Sequence, residues 1–162
     1  MNYWLIKSEP AEFSIDDLVA RPKQTESWDG VRNYQARNML RDQMYCGDQV
    51  FFYHSNTPSP GIVGIVEVVR EGYPDDTAFD PDDKHYDPKS DPSNPRWYQI
   101  DIKLVRRLER IITLSELKAS KKASDQLDSL PLLRRGNRLS IMPVTKKQWK
   151  LILNLEKKDA QA

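Results

Sequence analysis

Three short apolar runs in this chain each end in a cluster of side chains able to hydrogen-bond. Tyr3–Ile6 leads into Lys7, Ser8 and Glu9, Val50–Tyr53 leads into His54, Ser55 and Asn56, and the last run carries Arg138, Ser140, Met142 and Pro143. A fourth segment, SWDGVRNYQARN at Ser27–Asn38, sets Trp28 before Asp29-Gly30 and then crowds Arg32, Asn33, Tyr34 and Arg37 into the next turns. If the runs are strands of one sheet, their ends gather at shared rims and these groups converge on one pocket. Such a set suits a planar ligand with polar edges: an aromatic face stacks on it while amides, hydroxyls and a carboxylate read its donors and acceptors.

Other chemistries lack their parts. There is no G-x-S-x-G elbow, no Walker loop and no G-x-G-x-x-G, which removes the common phosphate cradles and nucleophile turns. With His54 and His85 the only histidines, a His-rich metal centre has too few ligands. The aspartates at 80, 82, 83 and 91 loosely suggest a hard cation, but the central Gly and final Glu of a calcium loop are missing. No metal and no cofactor are expected. A Ser-His-acid set can be assembled from Ser8 or Ser55, His54 and Glu9, but no spacing forces those residues together. Cys46 has no second thiol to pair with, which fits a reducing compartment. No run approaches the roughly 20 apolar residues of a membrane span, and Lys7 and Glu9 interrupt what would be a leader's apolar stretch. The expected location is cytoplasmic, or nuclear in a eukaryote, with no membrane partner.

The elements that must position these groups follow from periodicity. Tyr3–Lys7 reads as a strand, and Ser14 caps a short helix from Ile15, with Asp16 and Asp17 in its positive first turn and Pro22 ending it. Ala36, Met39, Leu40 and Met44 recur at helical spacing up to Gly47-Asp48, with Asn33 placed to cap that helix. Val50–His54 and Ile62–Arg70 are β-rich runs joined by a turn, and Tyr98, Ile100, Ile102 and Leu104 alternate with polar residues as in a half-buried strand. Thr113 with Glu116, and Thr145 with Gln148, are capping-box patterns for two more helices, the second carrying Trp149, Ile152 and Leu153. Arg138–Val144 reads as a last strand broken by Pro143. Residues 72–95, with five prolines and seven aspartates, are expected to form a long surface loop. The sum is an α+β fold: a curved sheet or small barrel with short helices. Its 162 residues suffice for one core, in a single domain over 1–158 with a tail at 159–162.

The net charge of +1 conceals two unlike halves. Residues 1–102 hold 10 Lys+Arg and 18 Asp+Glu, whereas residues 103–158 hold 15 and 5. The basic half is either a solvated helix face or a footprint for phosphate. Arg134, Arg135, Lys146 and Lys147 are its candidate phosphate contacts, with Arg32 and Arg37 beside the proposed pocket.

The segments WLIKSEP, WDGVRNYQARN, FFYHSN, GIVGIVEV and RLSIMPV, in that order from about Tyr3 to Glu156, resemble the signature blocks of the EVE-domain family within the PUA-like superfamily. The resemblance implies a PUA-like pseudobarrel of about five to six mixed strands with flanking helices, and a role in reading modified bases. On that basis Lys7, Ser8, Glu9, Trp28, Tyr34, His54, Ser55 and Asn56 fall on blocks around the ligand pocket, to which the polar clusters add Asn33, Arg138, Ser140, Met142 and Pro143. The expected function is a non-catalytic, monomeric module for DNA or RNA that takes a flipped, modified base into a pocket at the barrel rim. The alternative is a small enzyme acting on a nucleoside or nucleotide, with Lys7, Glu9 and His54 as acid-base groups. Simpler occupations stand beside each role: Trp28 covering the core edge, Asp29-Gly30 making only a turn, His54 bonding backbone, Arg32 and Arg37 as surface charges.

Overall fold

The computed structural model describes residues 1–158; the expected tail at 159–162 lies outside them. Six strands, β1 (Tyr3–Ser8), β2 (Thr25–Trp28), β3 (Gln49–His54), β4 (Gly61–Pro74), β5 (Tyr98–Thr113) and β6 (Ile141–Val144), form one sheet in the order β2-β5-β4-β3-β1-β6. β1 runs parallel to β3, and the other neighbours are antiparallel. Four helices, α1 (Ile15–Ala20), α2 (Tyr34–Asp42), α3 (Leu114–Ala123) and α4 (Lys146–Glu156), cover its two faces. The α+β expectation with about five to six strands is met with six.

Side chains alternate across a strand, and here both faces are covered. Trp4 and Ile6 of β1 enter a core with Val50, Phe52, Ile100, Ile102 and the apolar sides of α1 and α2. Leu5 enters the other, with Phe51, Tyr53, Trp149 and Ile152. Repeated register shifts between β4 and β5 bend this long pair, since each bulge adds local twist.

The helix starts follow the expected caps, except that at α3 only Thr113 accepts from Glu116 N, the Glu116 carboxylate pairing with Arg110 instead of closing the box. Ser14 and Asp17 exchange side-chain and backbone bonds at α1, Asn33 accepts from Ala36 N at α2, and Thr145 and Gln148 form the reciprocal box at α4. Several features differ from expectation. β6 begins at Ile141 rather than Arg138 and runs through Pro143, which an edge strand tolerates; α2 stops at Asp42, and β4 continues to Pro74. β5 continues nine residues past Leu104, because its polar second half finds partners: Arg106 with Glu156 and Arg110 with Glu116. β2 shows no alternation in Thr25–Trp28 and is held as an edge strand by pairing to β5. Residues 72–95 are not wholly superficial, since Asp75 and Ala78 are fully buried.

Candidate functional site

At the C-terminal end of β1, four segments enclose a cleft of about 530 Å³: Ser8-Glu9, Glu12-Phe13, Glu26 to Asp29 on and after β2, and Lys84-His85 from the long loop. Trp28 supplies one wall. Its ring meets Phe13 edge-on at 6.0 Å and Phe52 at 5.7 Å, so its inner edge packs on the core while the residue remains half-buried and lines the cleft. Trp28 thus covers the core edge and lines the cleft at once.

The polar floor is prepared by backbone. Ser8 donates its hydroxyl to the Phe13 carbonyl, and Ser55 N donates to the Ser8 carbonyl at 3.0 Å, which joins the ends of β1 and β3. Asn56, at φ 52, turns the chain back and brings its Nδ2 3.4 Å from Glu9 Oε1. His54 Nε2 accepts from Ile15 N at 3.1 Å, and burial holds the imidazole's pKa below its usual value. It is thus a neutral acceptor bonded to backbone.

The acidic groups divide into engaged and open. Glu12 pairs with Lys84, and Glu26 bonds Arg21 Nε at 2.9 Å. Asp29 is held differently: burial, then the neighbouring Asp75, push its carboxyl above the ordinary range against the opposing pull of His85, whose Nδ1 stands 3.9 Å away.

The loop that delivers Lys84 and His85 is anchored by Asp75. This buried carboxylate accepts from Gly30 N at 2.8 Å, Arg32 Nη1 at 3.0 Å and Thr77 Oγ1 at 2.6 Å. Arg32 also donates to the His85 carbonyl through Nε and Nη2, at 3.1 and 2.6 Å. Gly30 has φ +79, and a Cβ there would lie 2.5 Å from the His85 ring. In WDGVRNYQARN, then, Trp28 lines the cleft, Gly30 lets His85 approach, Arg32 ties the loop, and Asn33 caps α2.

The structure brings together Ser8, Glu9 and Trp28 on the cleft; Ser55 and Asn56 bond to Ser8 and Glu9 and His54 to Ile15 N, but none of these three lines it. Several expected members stand apart. Lys7 pairs with Tyr53 and lies on the sheet face opposite Ser8, so the Lys7–Glu9–His54 trio does not converge. Met142 is fully buried beside Leu5, and Pro143 lines other depressions. Ser140 supplies its carbonyl to Lys7 N at 2.9 Å, and Arg138 is exposed. Asn33 is spent as the cap, and Tyr34 faces a different cleft. Val144, paired with Tyr3, puts Lys146 and Lys147 at the far end of β1, about 17 Å from Ser8 at some 3.3 Å per residue. Arg134 lines a depression with Met39 and Gln148, and its neighbour Arg135 is exposed. Arg32 is engaged in the loop anchor rather than open to a phosphate.

The sequence did not mark Glu12, Phe13, Glu26, Ser27, Asp29, Lys84 and His85 as cleft residues. His85 carried a signal as one of two histidines, but its approach depends on a contact 55 residues distant, to Gly30. A larger depression of about 760 Å³ lies at the other end of β1. The carboxylate of Asp48 nearby is already occupied by Asn2 N, Trp4 Nε1 and Tyr45 N. Among the described residues no group of three His, Cys, Asp or Glu is placed to hold a metal ion, and no helix is long and apolar enough to cross a membrane.

Comparison with known proteins gives a consistent result. The family model described as the EVE domain matches residues 2–155. Human thymocyte nuclear protein 1 is 47% identical over 171 residues, covering 98% of this chain and 75% of that protein. The crystal structure of human THYN1 in complex with DNA containing 5-methylcytosine superposes with a TM-score of 0.93 at 46% identity, covering 98% of this chain and 99% of that one. A Pseudomonas putida protein gives 0.88 at 46% identity, over 95% and 99%. A Zymomonas mobilis ASCH protein, at 10% identity and TM-score 0.54 over 96% and 99%, shares the fold alone.

Proposed function

Because the chain belongs to the EVE-domain family, we propose that it is a non-catalytic DNA-binding module that takes a modified cytosine, 5-methylcytosine first among candidates, into the cleft between Ser8-Glu9 and Trp28-Asp29. The observation that carries this reading is the pairing of an aromatic wall with carboxylates across one cleft. Stacking on an aromatic contributes about 1–3 kcal/mol per base, comparable with the few kcal/mol that flipping costs. Cytosine presents an exocyclic N4 amine, the donor that Glu or Asp accepts from. The 46% identity to human THYN1, solved with 5-methylcytosine DNA, supports the same ligand class.

The separation of Lys7 from Glu9 and His54 leaves an acid-base reaction without its trio. We take residues 1–158 to work as one domain and as a monomer, in the cytoplasm or in a eukaryotic nucleus. The test is a titration with duplexes that differ only at cytosine C5, with RNA of matching sequence as competitor. Sedimentation reports the stoichiometry, and mass spectrometry of the recovered nucleic acid reports any product. Tighter binding of the modified duplex, abolished by Trp28→Ala, with the base recovered unchanged, is expected. Equal affinity for every duplex would overturn base recognition, and a new product would overturn the non-catalytic reading.

A further inference from the structure

A second cleft of about 360 Å³ lies beyond Arg32 and Trp97 from the base pocket, and cations dominate its edge. Its floor is Tyr34, 52% exposed, whose ring stacks on Trp97 at 4.9 Å and 25°. The Arg37 guanidinium lies 4.9 Å from the Tyr34 ring centroid and is held by two bonds, Nη1 to the Arg96 carbonyl at 2.8 Å and Nε to Asn38 Oδ1 at 2.9 Å. A guanidinium has five N–H groups, so three remain for a ligand, already oriented. Lys89 enters no ion pair among the described residues, and Arg96 makes only long contacts, 3.7 Å to Asp87 and 3.5 Å from Nη2 to the Lys89 carbonyl.

The acids nearby are occupied. Asp87 accepts from Trp97 Nε1 at 2.7 Å and Lys89 N at 3.0 Å, and Asp91 Oδ1 accepts from Ser93 N and Oγ at 2.9 and 2.8 Å. Arg41, also on the cleft, is neutralised by a two-bond pair with Asp42. The donors to Asp87 and Asp91 are neutral and leave both carboxylates ionised, so Arg37, Lys89 and Arg96 exceed Asp87 and Asp91 by one positive charge, arranged around an exposed ring.

We infer that this cleft grips a phosphodiester of the DNA strand whose base enters the pocket, with Arg37 as the oriented donor and Lys89 and Arg96 as the supporting charges. An anchored guanidinium fork matches phosphate oxygens, and a cation over an exposed aromatic ring is a common element of strand-binding surfaces. The position fits as well. The pocket's His85 gives its carbonyl to Arg32, Arg32 lies over Trp97 at 5.5 Å, and Trp97 carries Tyr34, so two side chains separate the sites. A strand with one phosphate per 3.4 Å of axis spans that interval within a few nucleotides. Arg134, Arg135, Lys146 and Lys147 have no comparable link to the pocket. The inference rests on the pocket reading for strand register, and on its own charges for the ligand.

The experiment measures duplex affinity against salt for the wild type, Arg37→Ala, Lys89→Ala and Lys89→Glu, with and without 5-methylcytosine. Because Lys89 is exposed and unpaired, its variants separate binding from folding. Each lost contact should lower the slope of log affinity against log salt by about 0.9 and weaken binding about three- to tenfold, with the modified-to-unmodified ratio unchanged. Unchanged slope and affinity in all three variants, with wild-type binding salt-dependent, would overturn the inference and leave the pocket standing. Wild-type binding without base preference, but with the slope still falling in the variants, would remove the pocket and leave this site. Salt-independent binding, or none, would refute it outright.

Discussion

Trp28 and Glu9 both line the cleft and fail differently when altered. Trp28→Ala removes the stacking wall, for which we expect a loss of about 1–3 kcal/mol in base binding. It also removes two edge-on aromatic contacts, so thermal stability should fall as well, by about 1–3 kcal/mol at 0.5–1.5 per aromatic pair. Trp28→Phe separates the two losses: it should recover most of the stability and part of the binding in parallel calorimetry. A stability loss with binding intact would make Trp28 a core residue. Glu9→Gln puts an amide donor where an acceptor faces the ligand, and should change base preference more than stability, since Glu9 is exposed and its contact to Asn56 is long. Titration against duplexes carrying different cytosine modifications checks this, and an unchanged ranking would remove Glu9 from recognition. Ser8, Glu9 and Trp28 were legible in the sequence because strand ends and a Trp beside a turn are local signals. Lys7 was misplaced because a run of consecutive polar residues does not say which face of a two-faced sheet each one takes.

At the scale of elements, the informative unit is the loop 72–95 together with the turn at Gly30. Composition denied it helix and interior strand, yet Gly72–Pro74 end β4 and Asp76–Phe79 form a 3-10 turn, and composition could not show that one aspartate in seven is buried as an anchor. Asp75 satisfies Gly30 N, Arg32 and Thr77, and those bonds more than offset the burial that would otherwise raise its pKa, leaving it below the ordinary value. Asp75→Ala removes the only charged partner of a half-buried guanidinium among the described residues and the acceptor of a backbone N–H, and should cost about 3 kcal/mol by denaturant titration. The same loss should raise hydrogen exchange across 82–87, because Arg32 then has less to hold it against the His85 carbonyl. Gly30→Ala attacks the contact from the other side, through positive φ and the clash with His85. We expect about 1–3 kcal/mol of destabilisation, of which His85→Ala in the same chain relieves only the steric part. If the double variant is as stable as His85→Ala alone, backbone strain plays no part. Helix starts were legible throughout, because caps are encoded within four residues. The extent of β5 was not, because Arg106 finds its partner in Glu156, 50 residues on, and Arg110 in Glu116 of the helix that follows, neither of which the strand's own pattern shows.

For the whole molecule, the ion pairs lie mainly within each half of the chain, as Arg32–Asp75 and Arg106–Glu156 do, and pH tests how they are balanced. Glu156, at the end of α4, is held below the ordinary carboxylate range first by the two-bond Arg106 pair and also by Glu109 N. Groups of this kind, Asp75 included, stabilise the fold above their unfolded pKa, and that contribution is lost as pH falls through the folded value. Asp29 has the opposite sign. Burial raises its pKa above 3.8, so its ionised form costs stability at neutral pH, and the cost disappears once pH falls below 3.8, where the carboxyl is protonated in both folded and unfolded states. Asp29→Asn should therefore raise the thermal midpoint at pH 7, and the gain should shrink to nothing as pH is lowered past 3.8. The same variant should bind the modified duplex more weakly at pH 7, because a carboxylate kept in the cleft at a cost to the fold is there to accept a hydrogen bond. Melting curves at both pH values, with duplex titrations at neutral pH, give the three readings. A midpoint that falls at pH 7, or a gain of equal size at both pH values, would show that Asp29 bears no buried-charge cost, and would remove the reason for assigning it to the ligand.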